Sequence, residues 1–178
     1  MKQLIGTDLK RFNRAWQRAY PHHADIVLVL QSVAYPANVG SLFRIADGVN
    51  LTEMILCSAT PTPPQPTVVK VARDKHKRIA WRYEERAEEA IATLRSAGYH
   101  IAAVEITDEA IPYFDFAAPR RTAFVLGNED HGVSQSVLDL CDTAVFVPMY
   151  GRGLSLNVHV SAGVILYDAV VQHVERND

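Results

Sequence analysis

Short, uninterrupted apolar runs that alternate with helical segments constrain the fold of this chain most. Residues 26–30 contain no polar side chain, as expected of a strand buried on both faces of a sheet. Further strands are predicted at residues 54–57, 101–106, 123–126 and 144–147. Because helical segments separate most of these runs, we expect an α/β protein with a mainly parallel sheet flanked by helices.

The helical segments are predicted from their periodicity and end signals, at residues 7–19, 39–49, 68–80, 86–97 and 155–173. The first is amphipathic, with Thr7 or Asp8 as its cap and Leu9, Phe12 and Trp16 on one side. Gly98 suits the C-terminal cap of the fourth helix. The proline-rich residues 61–66 are predicted to form an exposed loop.

Composition indicates a globular protein rather than a membrane or secreted one. Hydrophobic residues make up 48% of the 178 residues and charged residues 21%, which is ordinary for a soluble domain. No apolar run approaches the ~20 residues that span a bilayer, and no export signal is recognised. The two cysteines are expected in the core without a disulfide, and the location is expected to be cytoplasmic. Residues 1–24 are predicted as a short helical extension, and residues 25–178 as one domain.

Positive charge is concentrated in two segments, although the formal net charge is only −2. Residues 1–20 and 70–82 are basic and carry interleaved aromatic residues, including Trp16 and Trp81. Such segments can hold phosphates and stack bases, or they can be solvated helix faces; the sequence leaves both open. The candidate nucleic-acid-binding residues are Lys10, Arg11, Arg14, Lys70, Arg73, Lys75, Lys77 and Arg78.

The first of three segments that could carry chemistry is residues 38–44, with the sequence NVGSLFR. Asn38 and Arg44 lie less than two helical turns apart, near the expected carboxyl edge of the sheet, where open α/β sheets bind ligands. Taken alone, the segment is better explained by Asn38 as the cap of the helix and Arg44 as a surface or salt-bridge arginine.

The second segment, LGNEDHG at residues 126–132, follows a predicted strand. Gly127 allows the backbone to approach a ligand closely, and Glu129 projects from the loop. Glu129 and Asp130 suggest a metal site at first sight. Hard cations need more carboxylates at defined positions, however, so no metal is expected.

The third segment, VPMYGRGLSLNV at residues 147–158, leads from a strand through a glycine-rich turn into the last helix. The start of that helix offers unpaired N–H groups and the positive end of the helix dipole. Ser155 is a natural N-cap. Asn157 is expected in the first turn, where its amide could reach Glu129 or Arg44.

In this order, the three segments resemble the signature motifs of the TrmH-like (SpoU) branch of the SPOUT RNA methyltransferases. The resemblance extends over about residues 25–172 and makes residues 25–178 the methyltransferase domain. It implies a deep trefoil knot in the C-terminal part of the sheet, a homodimer, and S-adenosylmethionine as the methyl donor. The implied reaction is methylation of a ribose 2′-hydroxyl of RNA, without a metal.

The resemblance also implies site residues. The implied catalytic residues are Asn38, Arg44, Glu129, Ser155 and Asn157. The implied cofactor-binding residues are Val104, Leu126, Gly127, Val147, Met149 and Leu156. The chain departs from the family at His159 and Gly163, in the helix after the third motif, where related sequences more often have small residues such as serine and alanine.

The residue that matches Arg44 is implicated in the family in activating the 2′-hydroxyl. A guanidinium stays protonated in proteins, so Arg44 is expected to position the hydroxyl and stabilise the developing alkoxide. A substrate phosphate or a water molecule would then take the proton.

The substrate is expected to be tRNA, because the segment before the domain is a short helix rather than an added RNA-binding domain. Ribosomal RNA is the alternative substrate. Two other hypotheses are that the protein is an enzyme that methylates an RNA base, or a non-catalytic RNA-binding protein that keeps the knotted fold.

Overall fold

Seven parallel strands form one sheet in the computed structural model, which describes residues 1–175. In chain order the strands are β1 (Asp25–Gln31), β2 (Glu53–Cys57), β3 (Trp81–Glu84), β4 (His100–Val104), β5 (Ile111–Pro112), β6 (Arg121–Leu126) and β7 (Thr143–Phe146). The order across the sheet is β3-β2-β1-β6-β4-β7-β5. This confirms the predicted α/β class. Residues 176–178, at the end of the predicted domain, lie outside the described residues.

The strand order places β6 between β1 and β4. The β1–β6 register runs from Asp25 opposite Arg121 to Leu30 opposite Leu126. On its other side β6 pairs with β4, and β4 in turn pairs with β7. Because all these strands are parallel, their carboxyl ends meet at one edge of the sheet, where ligands bind in open α/β sheets.

Both faces of the sheet are covered, which explains the uninterrupted apolar runs. Leu28 and Phe124 point into the core on one face, which also contains Phe43. Val29 and Ile101 point into the core on the other face. Successive side chains of a strand alternate between faces, so a strand inside this sheet needs apolar residues at every position.

The helices are α1 (Gly6–Ala19), α2 (Pro36–Gly48), α3 (Pro66–Ala72), α4 (Ala87–Ser96), α5 (Gln135–Leu138) and α6 (Val158–Val171). Five of them overlap predicted helices, whereas α5 was not predicted. α2 begins before the predicted residue 39, with Pro36 in its first turn, where proline's fixed φ suits a helix. Gly98, with a φ of +82°, follows α4 as predicted.

The predicted helix over residues 68–80 was wrong in its second half. α3 ends at Ala72 because Arg73 and Asp74 both adopt the left-handed conformation, with φ of 48° and 63°. A single 3-10 turn, Lys75–Lys77, and then strand β3 follow. Trp81 starts β3, and its indole N–H donates to the His76 carbonyl at 3.1 Å.

The predicted start of the last helix was also wrong. α6 begins at Val158, and its N-cap is Asn157, whose side-chain oxygen accepts a hydrogen bond from the His159 N–H at 3.1 Å. Ser155 therefore does not cap the helix. Serine and asparagine are both favourable N-cap residues. The helical backbone begins only after Asn157, so Asn157 and not Ser155 is the cap.

α1 differs from the other helices because none of its residues is buried. Its N-cap is Ile5, so neither Thr7 nor Asp8 has the predicted capping role. The rings of Phe12, Trp16 and Tyr20 contact one another along one side. None of the helices within residues 1–175 is both long and apolar enough to cross a membrane.

The two cysteines are unpaired, as predicted. Cys57 is buried at the end of β2, and Cys141 is half-buried. Burial raises the pKa of the Cys57 thiol to about 12 and that of the Cys141 thiol to about 11.

Gly40 allows α2 to pack closely on α3, which gives a prediction. A Cβ at Gly40 would lie 2.7 Å from the Val71 Cβ and 2.8 Å from the Val68 carbonyl oxygen. We expect Gly40→Ala to lower the free energy of unfolding by about 1–3 kcal/mol through overpacking. Thermal unfolding measures the change.

The control is Gly151→Ala, in the exposed turn before α6. A Cβ there would meet no heavy atom of residues 1–175 within 4 Å, and the φ of Gly151 is not positive. We expect this variant to stay within about 0.5 kcal/mol of the wild type. Equal destabilisation by both substitutions would contradict the packing argument.

Candidate active site

A cavity of about 560 Å³ lies at the carboxyl edge of the sheet. Its walls come from the ends of β4 and β6, the segments that follow β6 and β7, and the start of α6. Five of the six predicted cofactor-binding residues line it: Val104, Leu126, Gly127, Val147 and Leu156. Met149, the sixth, lies outside the lining.

The second motif forms a tight turn on one wall. Asn128 and Gly132 exchange backbone hydrogen bonds of 3.0 and 2.8 Å. Gly127 packs so closely on this turn that a Cβ would overlap the Gly132 backbone, and Gly132 has a φ of +67°. The Asn128 side-chain oxygen accepts from the Asp130 N–H at 2.9 Å. This wall of the cavity is therefore held by its own hydrogen bonds.

Glu105 ties this turn to the end of β4. One carboxylate oxygen accepts from the Val133 N–H at 2.9 Å, and the other accepts from the Ile106 N–H at 2.9 Å. Glu105 was not recognisable from the sequence, because an acidic residue after a buried strand is not a motif by itself. Its role depends on a partner 28 residues away.

Glu129 joins the second motif to the start of α2. Its carboxylate accepts from the Ala34 N–H at 2.8 Å and the Tyr35 N–H at 3.3 Å. It also accepts from the Asn38 amide nitrogen at 2.6 Å. The carboxylate thus lies at the positive end of the α2 dipole, which stabilises negative charge there. Asn38 lies inside the first turn and is not the cap of α2, which is Tyr35.

Asn38 also contacts the third motif. Its side chain is buried, and its oxygen lies 3.0 Å from Nδ1 of His159. Burial lowers the pKa of His159 below its usual value of 6.5. In the sequence, His159 was recognisable only as a departure from the family pattern. No spacing rule links it to Asn38, which lies 121 positions earlier.

The structure brings together four of the five predicted catalytic residues. Asn38, Glu129, Ser155 and Asn157 all line the cavity. Asn157 does not reach Glu129 or Arg44, because its side-chain oxygen caps α6. Arg44 is exposed on α2, does not line the cavity, and makes no hydrogen bond or ion pair within residues 1–175.

The predicted RNA-binding residues lie in two places. Lys10, Arg11 and Arg14 are exposed and line a shallow groove on α1. In the other segment, Lys75 pairs with Asp47 at 2.5 Å and Lys77 pairs with Asp74 at 2.7 Å. The residues of that segment left exposed without an ion pair in the described part of the chain are Lys70, Arg73 and Arg78.

Across residues 1–175, no cluster of three or more histidine, cysteine, aspartate or glutamate side chains is placed to hold a metal ion. The site geometry defines an α/β protein with a nucleotide-sized cavity built by three loop segments at the strand ends.

Comparison with known proteins identifies the family. The model of the SpoU rRNA Methylase family matches residues 25–167. Because this match covers most of the chain, the protein belongs to the SpoU methylase family. The family that the three motifs indicated is thereby confirmed.

Individual relatives agree with this assignment. The tRNA (guanosine(18)-2′-O)-methyltransferase of Thermus thermophilus is 30% identical over 175 residues, which are 98% of this chain and 88% of that protein. The crystal structure of the Aquifex aeolicus TrmH/SpoU tRNA modifying enzyme has a TM-score of 0.77 at 24% identity, over 92% of this chain and 83% of that one. The similarity to the Aquifex aeolicus structure shows the fold alone.

A third relative was solved with the methyl donor. The SpoU methyltransferase AviRb from Streptomyces viridochromogenes, in complex with AdoMet, has a TM-score of 0.75 at 27% identity. The match covers 85% of this chain and 58% of that one.

The contacts of Glu129 give a second prediction. We expect Glu129→Ala to lower the free energy of unfolding by about 1.5–3 kcal/mol, since hydrogen bonds to a charged group are lost and the buried Asn38 amide loses its acceptor. Thermal unfolding measures the change.

Asp130→Ala is the matched control. Asp130 is the next residue, and its exposed carboxylate has no hydrogen-bond partner within residues 1–175. We expect this variant to stay within about 0.5 kcal/mol of the wild type. A Glu129→Ala variant as stable as Asp130→Ala would contradict the stabilising role of the Glu129 hydrogen bonds.

Proposed function

We propose that this protein transfers a methyl group from S-adenosylmethionine to a ribose 2′-hydroxyl of RNA. The observation that carries the proposal is that three motifs far apart in sequence build one cavity at the carboxyl edge of the sheet. The hydrogen bonds of Glu129 to Asn38 and to the start of α2 link two of these motifs directly.

The cavity fits the proposed cofactor in size and in chemistry. Its volume of about 560 Å³ lies within the range of small-molecule sites. Val104, Leu126, Val147 and Leu156 offer apolar walls for an adenine ring. Backbone groups at the strand ends and in the Gly127 turn supply hydrogen-bond partners. When bound, the cofactor supplies an electrophilic methyl group on a sulfonium.

The side chains of this site act mainly by position. Asn38 has a second amide N–H with no acceptor within residues 1–175, so it can donate to an oxygen in the cavity. Arg44 would hold the attacking hydroxyl and stabilise its developing negative charge, because a guanidinium keeps its own proton. The proton passes to a substrate phosphate or to water. Fixing the geometry of two reactants accounts for much of such a rate enhancement.

The position of Arg44 supports a homodimer. Arg44 is exposed outside the cavity of its own chain, whereas the other four candidate residues line that cavity. On the same face of the sheet, exposed apolar side chains occur at Tyr35 before α2 and at Val160 and Tyr167 in α6. A two-fold contact through this surface would bury them, and Arg44 of the partner subunit would complete each site. The insertion of β6 between β1 and β4 is consistent with the trefoil knot that we also propose.

We propose tRNA as the substrate. The curated relative from Thermus thermophilus is a tRNA methyltransferase and matches this chain over 98% of its length, including the N-terminal helix. The exposed Lys10, Arg11 and Arg14 on α1 offer charge for a phosphate backbone. Ribosomal RNA is the second candidate, because the family model carries that substrate in its name.

Methyl transfer tests the proposal directly. The purified protein is incubated with tritiated S-adenosylmethionine and separate pools of unmodified tRNA and rRNA. We expect label from the tRNA pool in an alkali-stable dinucleotide, because a 2′-O-methyl group blocks hydrolysis of the adjacent phosphodiester. Arg44→Ala should lose about 100-fold or more in rate, the usual loss for a group that stabilises developing negative charge.

Arg86→Ala is the control for Arg44→Ala. Arg86 is an exposed arginine at the start of α4, on the opposite face of the sheet from α2, so its substitution should leave the rate unchanged.

Label in mononucleotides would indicate base methylation instead. Cofactor binding without transfer to either pool would favour a non-catalytic RNA-binding protein.

Mixed dimers test whether Arg44 acts across the dimer. Chains with Arg44→Ala and chains with Glu129→Gln are co-expressed with different tags, and the two homodimers and the mixed dimer are recovered together. Random pairing makes half of the dimers mixed. If each site takes Arg44 from the partner subunit, each mixed dimer has one intact site. The mixture should then show about a quarter of the wild-type activity.

Two findings would contradict this arrangement. A mixture no more active than the separate variants places Arg44 and Glu129 of one chain in the same site. A wild-type protein that is monomeric at the assay concentration would contradict the proposed homodimer itself.

A further inference from the structure

We propose that His159 is a positioning residue: it fixes the orientation of the Asn38 side-chain amide, so that Asn38 presents its second N–H rather than its oxygen to the cavity. His159 lies outside the three motifs, and the sequence predicted no role for it. The inference deepens the proposed function and rests on it, because Asn38 lines the proposed site.

The hydrogen bonds around Asn38 have only one consistent direction. The Glu129 carboxylate already accepts from two backbone N–H groups, and it lies 2.6 Å from the Asn38 amide nitrogen. The nitrogen of Asn38 therefore donates to Glu129. The oxygen of Asn38 must then accept from His159, whose Nδ1 lies 3.0 Å away.

This direction also fixes the proton on the imidazole. A neutral histidine that donates from Nδ1 carries its proton there and leaves a lone pair on Nε2. Free imidazole side chains in water prefer the opposite tautomer, with the proton on Nε2. The tautomer of His159 is thus an observable that reports the contact with Asn38 and does not depend on methyl transfer.

Two side-chain hydrogen bonds of Asn38 join three parts of the chain. Asn38 belongs to α2, Glu129 to the turn after β6, and His159 to the first turn of α6. Asn38 is buried, so a lost partner for its oxygen would not be replaced freely by water. Without the donor on His159, only the hydrogen bond to Glu129 would restrain the amide, so the amide plane could tilt and turn its oxygen toward the cavity.

Nitrogen-15 NMR of histidine-labelled protein tests the contact itself. The spectrum is recorded at a mildly alkaline pH, and His159 is assigned by the loss of its signals in His159→Leu. We expect the Nδ1–H tautomer in the wild type. Asn38→Leu should return His159 to the Nε2–H tautomer. An Nε2–H tautomer in the wild type would overturn the proposal.

Kinetics test the consequence with a matched pair of variants. In His159→Asn, the amide nitrogen falls close to the position of Nδ1 and can donate; His159→Leu has a similar size but no donor. We expect kcat to fall about tenfold in His159→Leu, the equivalent of one hydrogen bond, and to stay within about threefold in His159→Asn. KM for cofactor and RNA should change little in both.

A double variant shows whether His159 acts through Asn38. In an Asn38→Ala background, His159→Leu should cause no further loss of kcat, because the group that it positions is gone. Full additivity, or equal loss in His159→Leu and His159→Asn, would overturn the positioning role. If the wild type methylates no RNA, the proposed function fails, while the tautomer still decides the contact between His159 and Asn38.

Discussion

The parallel pairing of β1 with β6 is the constraint on which the site depends. It aligns Leu30 with Leu126, so the segments that follow the two strands leave the sheet side by side. Glu129 is then close enough to accept hydrogen bonds from the backbone of Ala34 and Tyr35, although about 95 residues separate them. The first turn of α2 is thereby oriented toward the cavity, and with it Asn38.

Hydrogen bonds and close packing within the protein hold the walls of the cavity in place. Glu105 and Gly127 hold the turn after β6, and Glu129 holds the start of α2 against that turn. A binding site that is formed before its ligand arrives loses less conformational entropy on binding. Chemistry that relies on the alignment of two substrates benefits from such rigidity, because small displacements of the reacting atoms slow it strongly.

The sequence predicted the elements whose signal is local. The buried strands were recognisable because both faces of the sheet are covered. The family resemblance identified nine of the residues that line the cavity, eight of them within the three motifs. The break at Arg73 was missed because left-handed non-glycine residues leave no trace in hydrophobic periodicity. Glu105 and His159 were missed because their partners are distant in sequence. The exposed position of Arg44 follows from tertiary packing, which no motif encodes.

The buried thiols have a practical consequence. The thiolate is the reactive form of cysteine, and pKa values of about 12 for Cys57 and about 11 for Cys141 leave very little of it at neutral pH. Both native cysteines should therefore react slowly with maleimides and with peroxide. A cysteine introduced on the exposed surface of α1 would carry a fluorophore at essentially one position, without prior removal of the native thiols.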